Sequence, residues 1–174
     1  MGFCLLRPSI SKNIDKPAAS SVLPKAHYRT ERVSAVEKVH IKIQGIQIAS
    51  DQTEEIMEQL LVGEYAEKNG SHYLFYEEDT EGAVSKTKCR LKYKGHALEL
   101  VKQGALNTEM LLEAGKCHEM MYRTSFGDLL LEVETEYVSF TKGEEEILIE
   151  TKYRLVADDE PIMACRLIIT ISRA

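Results

Sequence analysis

From residue 39 to the C-terminus, apolar and polar residues alternate with a period of two in short blocks. Successive side chains of a β-strand point to opposite faces, so this alternation predicts strands with one buried and one exposed face. Residues 128–140 show the pattern most clearly, with an inward row of Leu129, Leu131, Val133, Thr135 and Tyr137 against Glu132, Glu134 and Glu136. We predict strands at 39–49, 55–66, 71–78, 83–93, 96–103, 105–114, 116–125, 128–140, 146–157 and 162–172.

Turn residues separate these blocks at short and regular intervals. Asn69-Gly70 is a strong hairpin sequence, because both residues tolerate a positive φ. Further turns are predicted at Lys94-Gly95, at 141–143 and at 158–161. One segment, 51–61, is ambiguous, since Ile56, Leu60 and Leu61 also fit one face of a helix. We favour a strand there, because the hairpin at Asn69-Gly70 needs a partner strand that ends near residue 66.

The fold class that follows is all-β. Ten strands in hairpin succession without helices are typical of an up-and-down antiparallel β-barrel of 8–10 strands, with a two-sheet sandwich as the alternative. Closing the barrel removes sheet edges that would otherwise be open to aggregation. A barrel of this size can enclose one small ligand.

The N-terminal residues differ from the rest in composition and charge. Three of the four prolines fall in the first 24 residues, and residues 1–38 carry seven basic against three acidic residues, a net charge of +4. Residues 39–174 carry 15 basic and 25 acidic residues, a net charge of −10. We predict a flexible basic extension over 1–37 and a barrel domain over 38–174. A transit peptide, an acylated terminus or a start codon assigned too early are alternatives for the extension.

Charge also limits the classes of partner. An acidic domain repels a phosphate backbone, so no nucleic-acid partner is expected. No apolar run approaches the ~20 residues of a membrane-spanning helix. Two outward rows have a single sign, and we interpret them as solvated faces or as a partner-binding surface: Lys86, Lys88, Arg90 and Lys92, and Glu132, Glu134 and Glu136.

Sequence motifs for metal binding and catalysis are not found. The four cysteines form no C-x-x-C pair, and the five histidines form no H-x-H or H-E-x-x-H pattern, so we expect no metal and no cofactor. Neither a P-loop nor a G-x-S-x-G elbow occurs. The acidic residues 77–79 lie at a strand end or turn and are interpreted as solvated. We therefore expect a cytoplasmic protein with free thiols, and a non-enzymatic role in preference to an enzyme.

From about Gln59 onward, the sequence resembles the YwiB-like family of small bacterial proteins of unknown function. The resemblance rests on segments in the same order as in the family: Gly63-Glu64-Tyr65, residues 73–78, Lys102-Gln103-Gly104, the hexad 122–127, residues 129–133 and residues 150–153. It implies a calycin-like barrel, related in shape to lipocalins. Two positions depart from the family pattern, because Lys102 stands where arginine is usual and Ser125 where proline is common.

Lys102 is the first candidate for binding chemistry. It has the parity of Leu98 and Leu100, so its ammonium faces the interior near a strand end and can hold a carboxylate or phosphate. Snorkelling to solvent and pairing with a structural glutamate are the alternatives. Tyrosines and threonines are the other candidates for lining the lumen: Tyr65, Tyr76, Tyr122, Tyr137, Tyr153, Thr124 and Thr135. Gly104, Phe126 and Gly127 are predicted to form turns or tight corners.

Three functions compete at this point. The first is a barrel that binds a small apolar or anionic-amphipathic ligand in its lumen. The second is a protein-interaction or regulatory module with a filled barrel and a charged outer strand face. The third is an enzyme with a site at the barrel mouth around Lys102. The sequence leaves the oligomeric state and the identity of any ligand open.

Overall fold

The computed structural model describes residues 5–6, 35–79, 86–104, 108–124 and 127–174, without the side chains of 5–6 and 122–129. Within these residues the chain forms eleven strands, all antiparallel. They are β1 (Leu5–Leu6), β2 (Glu37–Ala49), β3 (Glu54–Lys68), β4 (Ser71–Glu78), β5 (Thr87–Lys94), β6 (Ala97–Gln103), β7 (Thr108–Glu113), β8 (Cys117–Thr124), β9 (Gly127–Lys142), β10 (Glu146–Ala157) and β11 (Glu160–Arg173).

The ten longer strands form a nearly closed up-and-down barrel, as the alternation predicts. Consecutive strands pair from β2 through to β7, and again from β8 through to β11. The circle continues where β11 pairs with β2, with Ile171 opposite Ile41. The break therefore lies between β7 and β8, which follow each other in the chain but are not paired among the described residues. Residues 54–68 are a strand, so the strand prediction for the ambiguous segment is confirmed.

Most of the predicted N-terminal extension lies outside the described residues. The exception is the two-residue strand β1, whose backbone pairs with β8, Leu5 opposite Tyr122 and Leu6 opposite Met121. No helix long and apolar enough to cross a membrane occurs in the part of the chain that the structure describes.

Alternation predicts the inward face of β10 correctly. Every second residue from Ile147 to Leu155 is buried, and Thr151 has no exposed surface. On β9 the same rule is wrong beyond Thr135, because a β-bulge inserts Glu136 between Thr135, opposite Tyr153, and Tyr137, opposite Lys152. Tyr137 therefore points outward, and its hydroxyl donates a hydrogen bond to Glu150 Oε1 at 2.5 Å.

Two glycines show how backbone geometry supports the barrel. Asn69 and Gly70 have φ values of 52° and 71°, which confirms the predicted tight turn between β3 and β4. Gly63 lies where the antiparallel pairing of β3 with β4 begins. A Cβ atom there would lie 2.4 Å from the Phe75 carbonyl oxygen. The chain needs glycine at this position because the two strands approach too closely for a side chain.

The two charged outer rows lie on separate parts of the barrel. The basic row is on β5 and the acidic row on β9, and these strands are not neighbours. Each row pairs with its own neighbouring strand instead: Arg90 with Glu99 on β6, and Glu134 with Arg154 on β10. Such surface pairs contribute little to stability, so the fold does not depend on either row.

Candidate functional site

A cavity of about 150 Å³ lies inside the barrel, at the end where β4 and β6 finish. We call this the cavity end. Its walls come from both halves of the sheet, since Leu91, Leu100 and Met110 face Leu155 and Ile169. The wall is mostly apolar. A space of this size in an apolar interior accommodates a molecule about as large as benzene.

One wall of the cavity carries a row of polar groups at matching positions on four successive strands. Tyr76 on β4 lies opposite Cys89 on β5, Cys89 lies opposite Lys102 on β6, and Lys102 lies opposite Thr108 on β7. The row forms because each of these residues has the inward parity of its strand. Tyr76, Lys102 and Thr108 line the cavity directly.

Lys102 faces the interior as its parity predicts, but its ammonium is not alone. Its Nζ donates a hydrogen bond to Glu78 Oε2 at 2.5 Å, and the two side chains are 17% and 11% exposed. Of the alternatives left open by the sequence, pairing with a glutamate is therefore the one the structure has. An ammonium has three hydrogens, so Lys102 can donate to a bound molecule while it stays paired with Glu78.

Glu78 is the residue that the sequence analysis missed. The sequence predicts that the acidic residues 77–79 are solvated, and for Glu78 this prediction is wrong, since the residue is buried and lines the cavity. The signal was present in the sequence, because Glu78 has the same parity as the buried Leu74 and Tyr76. Glu77 and Asp79 are exposed, as predicted.

Burial controls the ionisation of the groups around the pair. Burial, followed by the charge of Glu78, raises the pKa of the Cys89 thiol to about 12. Burial also raises the pKa of the Tyr76 hydroxyl well above its ordinary value. Both groups are therefore neutral at physiological pH, and among the described residues the charge on this wall comes from the salt bridge between Lys102 and Glu78.

The opposite wall contributes a second, smaller polar patch. Tyr153 on β10 lies opposite Cys165 on β11, and both line the cavity. Burial raises the pKa of Cys165 to about 11 and that of Tyr153 well above its usual range. Met57 and Gln59 of β3 complete this side. The arrangement is a largely apolar chamber with the Lys102–Glu78 pair on one wall. The opposite wall carries the neutral hydroxyl of Tyr153 and the side chain of Arg166, which is paired with Glu150.

The predicted site residues divide into four groups. Lys102, Tyr76 and Tyr153 come together around the cavity. Tyr65 lies at the other end of the barrel. Thr135 is buried at 4% exposure but does not line the cavity, and its hydroxyl has no hydrogen-bond partner among the described residues. The side chains of Tyr122 and Thr124 lie outside the described part of the chain.

The predicted turn residues are described only in part. Gly104 has a φ of +134°, and a Cβ there would lie 2.8 Å from the Lys86 carbonyl oxygen, so this position requires glycine. Phe126 lies outside the described residues, and of Gly127 the structure describes only the backbone, at the start of β9.

The other end of the barrel, which we call the aromatic end, is filled by stacked rings. His72 packs against Phe140 with ring centroids 4.2 Å apart, and Phe140 packs against Tyr93 at 4.6 Å. Tyr65 Oη and His72 Nδ1 are 2.7 Å apart, a hydrogen bond. Lys142 lies over the Tyr65 ring at 5.7 Å from its centroid. A recess of about 130 Å³ at this end is lined by Tyr65, by Lys142 and Arg173, and by five glutamates.

Metal ligation finds no support in this geometry. Among the described residues, no three His, Cys, Asp or Glu side chains are placed to hold a metal ion. The described cysteines are free thiols, Cys117 exposed and Cys89 and Cys165 buried.

Residues 41–169 match the family model described as a domain of unknown function, DUF1934. The chain belongs to this family. The match spans β2 to most of β11, and so includes every described strand that lines the cavity.

A solved structure agrees with this family. The crystal structure of the YwiB protein from Bacillus subtilis aligns with a TM-score of 0.70 at 20% sequence identity, over 82% of this chain and 95% of that chain. At this identity the match shows the fold, and the predicted resemblance to the YwiB-like family is confirmed. No curated protein sequence matches the chain significantly.

Proposed function

We propose that this protein binds a small, mostly apolar molecule with one polar or anionic group in the chamber at the cavity end. The observation that carries the proposal is a space of about 150 Å³ whose apolar walls surround the Lys102–Glu78 pair. Ligand sites are typically apolar cavities with a few fixed polar groups that orient the ligand. Shared fold alone would not support a shared function, so the argument rests on this site.

The size and the pair together restrict the ligand. A chamber of benzene-like capacity excludes a fully enclosed long-chain lipid and favours a single ring or a short branched chain. Lys102 donates to a carboxylate, a carbonyl or a hydroxyl, whereas the adjacent Glu78 disfavours a second negative charge. We therefore infer a monoanion or a neutral polar molecule with a compact apolar body.

Four finer features belong to the same proposal. Residues 1–37 form an extension and 38–174 the barrel, a division supported by the start of β2 at Glu37. The location is a reducing one such as the cytoplasm, which the free cysteines support. Nucleic acid is not a partner, because the barrel domain is acidic. A calycin-like relationship, implied by the family resemblance, remains part of the proposal.

The test begins with the protein as purified. Native mass spectrometry is expected to show a small retained mass that disappears on unfolding. Thermal shifts with benzene, benzoate and benzylamine then probe the chamber, and we expect stabilisation by benzoate above benzene and little effect of benzylamine. Lys102→Met should remove the preference for benzoate but keep the response to benzene.

Two variants control this experiment. Gly45 lines the chamber, and a Cβ there would meet only Met57 Cε at 3.7 Å, an ordinary contact. Gly45→Leu should therefore fill the chamber and abolish both responses without unfolding the barrel. Lys142→Met, at the aromatic end, should leave both unchanged. A wild-type protein with no retained mass and no saturable response to any of the three probes would overturn the proposal.

A further inference from the structure

The salt bridge between Lys102 and Glu78 matches one cation with one anion at the chamber wall. Lys102 Nζ and Glu78 Oε2 are 2.5 Å apart, and both side chains are mostly shielded from solvent. A monoanionic ligand that binds Lys102 brings a second negative charge to the same ammonium. The chamber must then compensate that charge, because an unbalanced charge in a mostly apolar interior is costly.

The thiols and tyrosine hydroxyls around the chamber cannot supply this compensation. Burial raises the pKa of the Cys89 thiol to about 12 and that of the Cys165 thiol to about 11. Burial likewise raises the pKa of the Tyr76 and Tyr153 hydroxyls well above the ordinary tyrosine value. All four groups are therefore neutral at physiological pH, and they can donate hydrogen bonds but carry no positive charge.

Arg166 is the other cation among the described residues that line the chamber, and its charge is already paired. Its Nε and Nη2 lie 2.8 and 2.6 Å from Glu150 Oε1, and its side chain is 48% exposed. Tyr137 donates a hydrogen bond to the same oxygen of Glu150. The guanidinium is thus held toward the outer face of β10 and β11, and the positive charge inside the chamber is that of Lys102.

The remaining polar neighbours of the pair are uncharged or exposed. Thr87 lies opposite Glu78 on β5, and Thr108 lies opposite Lys102 on β7. Three charged residues near these strand ends are exposed, and two of them, Asp79 and Lys86, form a pair at 3.9 Å: Glu77, Asp79 and Lys86. Among the described residues, Glu78 is therefore the group through which the chamber can change its charge.

Two carboxylates that share one ammonium in a shielded site do not both stay ionised without cost. Each strengthens the binding of a proton to the other, as in paired carboxylates that hold one proton between them. If Glu78 takes a proton from solvent when a ligand carboxylate binds, the net charge of the chamber stays at its ligand-free value. The new O–H of Glu78 can donate to the ligand, while the ammonium of Lys102 also donates to it.

We propose that the chamber binds a monocarboxylate together with one proton, with Lys102 holding the ligand carboxylate and Glu78 accepting the proton. This inference rests on the proposed function and narrows its ligand class to weak organic acids with a compact apolar body. Glu78 then sets the charge specificity, because one carboxyl group can compensate one added negative charge and not two. Binding should tighten as the pH falls, since protons are taken up on binding.

The experiment is isothermal titration calorimetry of benzoate into the full-length wild-type chain near neutral pH. The titration is repeated in PIPES and in bis-Tris, two buffers that release different heats when they lose a proton. Benzoate is ionised at this pH, so any proton taken up comes from the buffer. We expect about one proton per bound benzoate, and an affinity that rises by at least about tenfold between pH ~7.5 and ~5.5. Benzamide has nearly the same shape without the charge and should bind without proton uptake.

Two glutamine variants locate the proton. Glu78→Gln keeps the shape of the side chain but removes the proton acceptor, so proton uptake should disappear and the affinity for benzoate should change by less than about twofold over the same pH range. Glu77→Gln is the matched control, because Glu77 is the exposed neighbour of Glu78 on β4. It should keep the wild-type proton uptake. Circular dichroism checks that both variants are folded, and the wild-type titration decides the matter if Glu78→Gln does not fold.

The possible failures distinguish this inference from the proposed function. Benzoate that binds the wild type without proton uptake overturns the inference and leaves the proposed function standing, and so does a chamber that binds benzamide but not benzoate. Proton uptake that persists in folded Glu78→Gln, or that is lost in Glu77→Gln, also overturns it. A chamber that binds neither benzoate, benzamide nor benzene overturns both.

Discussion

The two ends of the barrel are built from the same strands but packed differently. At the aromatic end, Tyr65, His72, Tyr93 and Phe140 stack in contact, with centroid separations down to 4.2 Å. At the cavity end, the same inward rows continue but leave about 150 Å³ of mostly apolar space between the strands, whereas the recess of about 130 Å³ at the aromatic end is lined mostly by charged and polar residues. Protein interiors are normally close-packed. The unfilled space at the cavity end therefore requires a functional explanation, whereas the packed rings at the aromatic end do not.

The ion pairs of the two ends also differ in exposure, because the pair at the aromatic end is more exposed to solvent than the pair at the cavity end. Lys142 and Glu67 close the aromatic end with side chains 49% and 38% exposed, where solvent weakens their attraction. Lys102 and Glu78 are 17% and 11% exposed, where unpaired charges are costly. The comparison separates a stacked, stabilising end from a chamber with a buried, oriented pair. The predictions that follow test this difference, starting with the largest expected effect.

Close packing at the middle of the barrel should make Gly63→Ala the most damaging substitution. Its Cβ would lie 2.4 Å from a backbone oxygen and 2.6 Å from Ile41 Cδ1, and the backbone oxygen cannot rotate away. We expect a loss of at least about 3 kcal/mol in the free energy of unfolding, or no folding at all. Urea unfolding followed by circular dichroism measures this loss.

Gly45→Ala is the matched substitution in the chamber. Its Cβ would meet a single methionine methyl group at 3.7 Å, so the free energy of unfolding should stay constant or rise slightly. Equal losses for the two alanine variants would mean that the chamber is no roomier than the middle of the barrel, and the comparison would fail.

Removing one carboxylate from each ion pair should have unequal effects. Glu78→Gln leaves the mostly buried ammonium of Lys102 without its anion, and we expect a loss of about 2 kcal/mol in the free energy of unfolding. Glu67→Gln breaks an exposed pair and should cost less than about 1 kcal/mol. Urea unfolding at neutral pH compares the two variants directly.

A double variant separates burial of charge from loss of shape. Glu78→Gln combined with Lys102→Met removes both charges, so stability should return toward the wild-type value. If the double variant is less stable than Glu78→Gln, the pair is a stabilising feature of the fold rather than a binding feature carried at a cost.

Strand periodicity made most of this barrel predictable. The ten strands, the Asn69-Gly70 turn and the inward position of Lys102 all follow from the period of two, because one face of each strand is buried. The rule failed at Tyr137, since the bulge at Glu136 moves every later residue of β9 to the other face. A bulge cannot be recognised from the alternation alone, because it is defined by the register with the partner strand.

The composition of the site was harder to predict than the fold. Lys102 was found from parity, but its partner Glu78 was not, because an acidic run next to a turn is usually solvated. Tyr65 was grouped with Tyr76 since both face inward, yet they lie toward opposite ends of the barrel. Parity gives the side of the sheet, whereas depth along the barrel depends on strand register, which only the three-dimensional structure supplies.

The smallest expected effect is a pH dependence of the free energy of unfolding that arises from the aromatic end. Burial among the rings is the largest cause that lowers the pKa of His72 below its ordinary value of 6.5, with Lys142 also lowering it and Glu67 opposing both. The unfolded chain therefore binds a proton at a higher pH than the folded chain. Stability should be fully present above the unfolded pKa and decrease as the pH falls from about 7 toward 5.

His72→Phe keeps a ring in the stack but removes the titrating group. Urea unfolding at several pH values between about 5 and 7 should show a flatter profile for this variant than for the wild type. A wild-type slope in His72→Phe would place the proton-linked group outside the aromatic end.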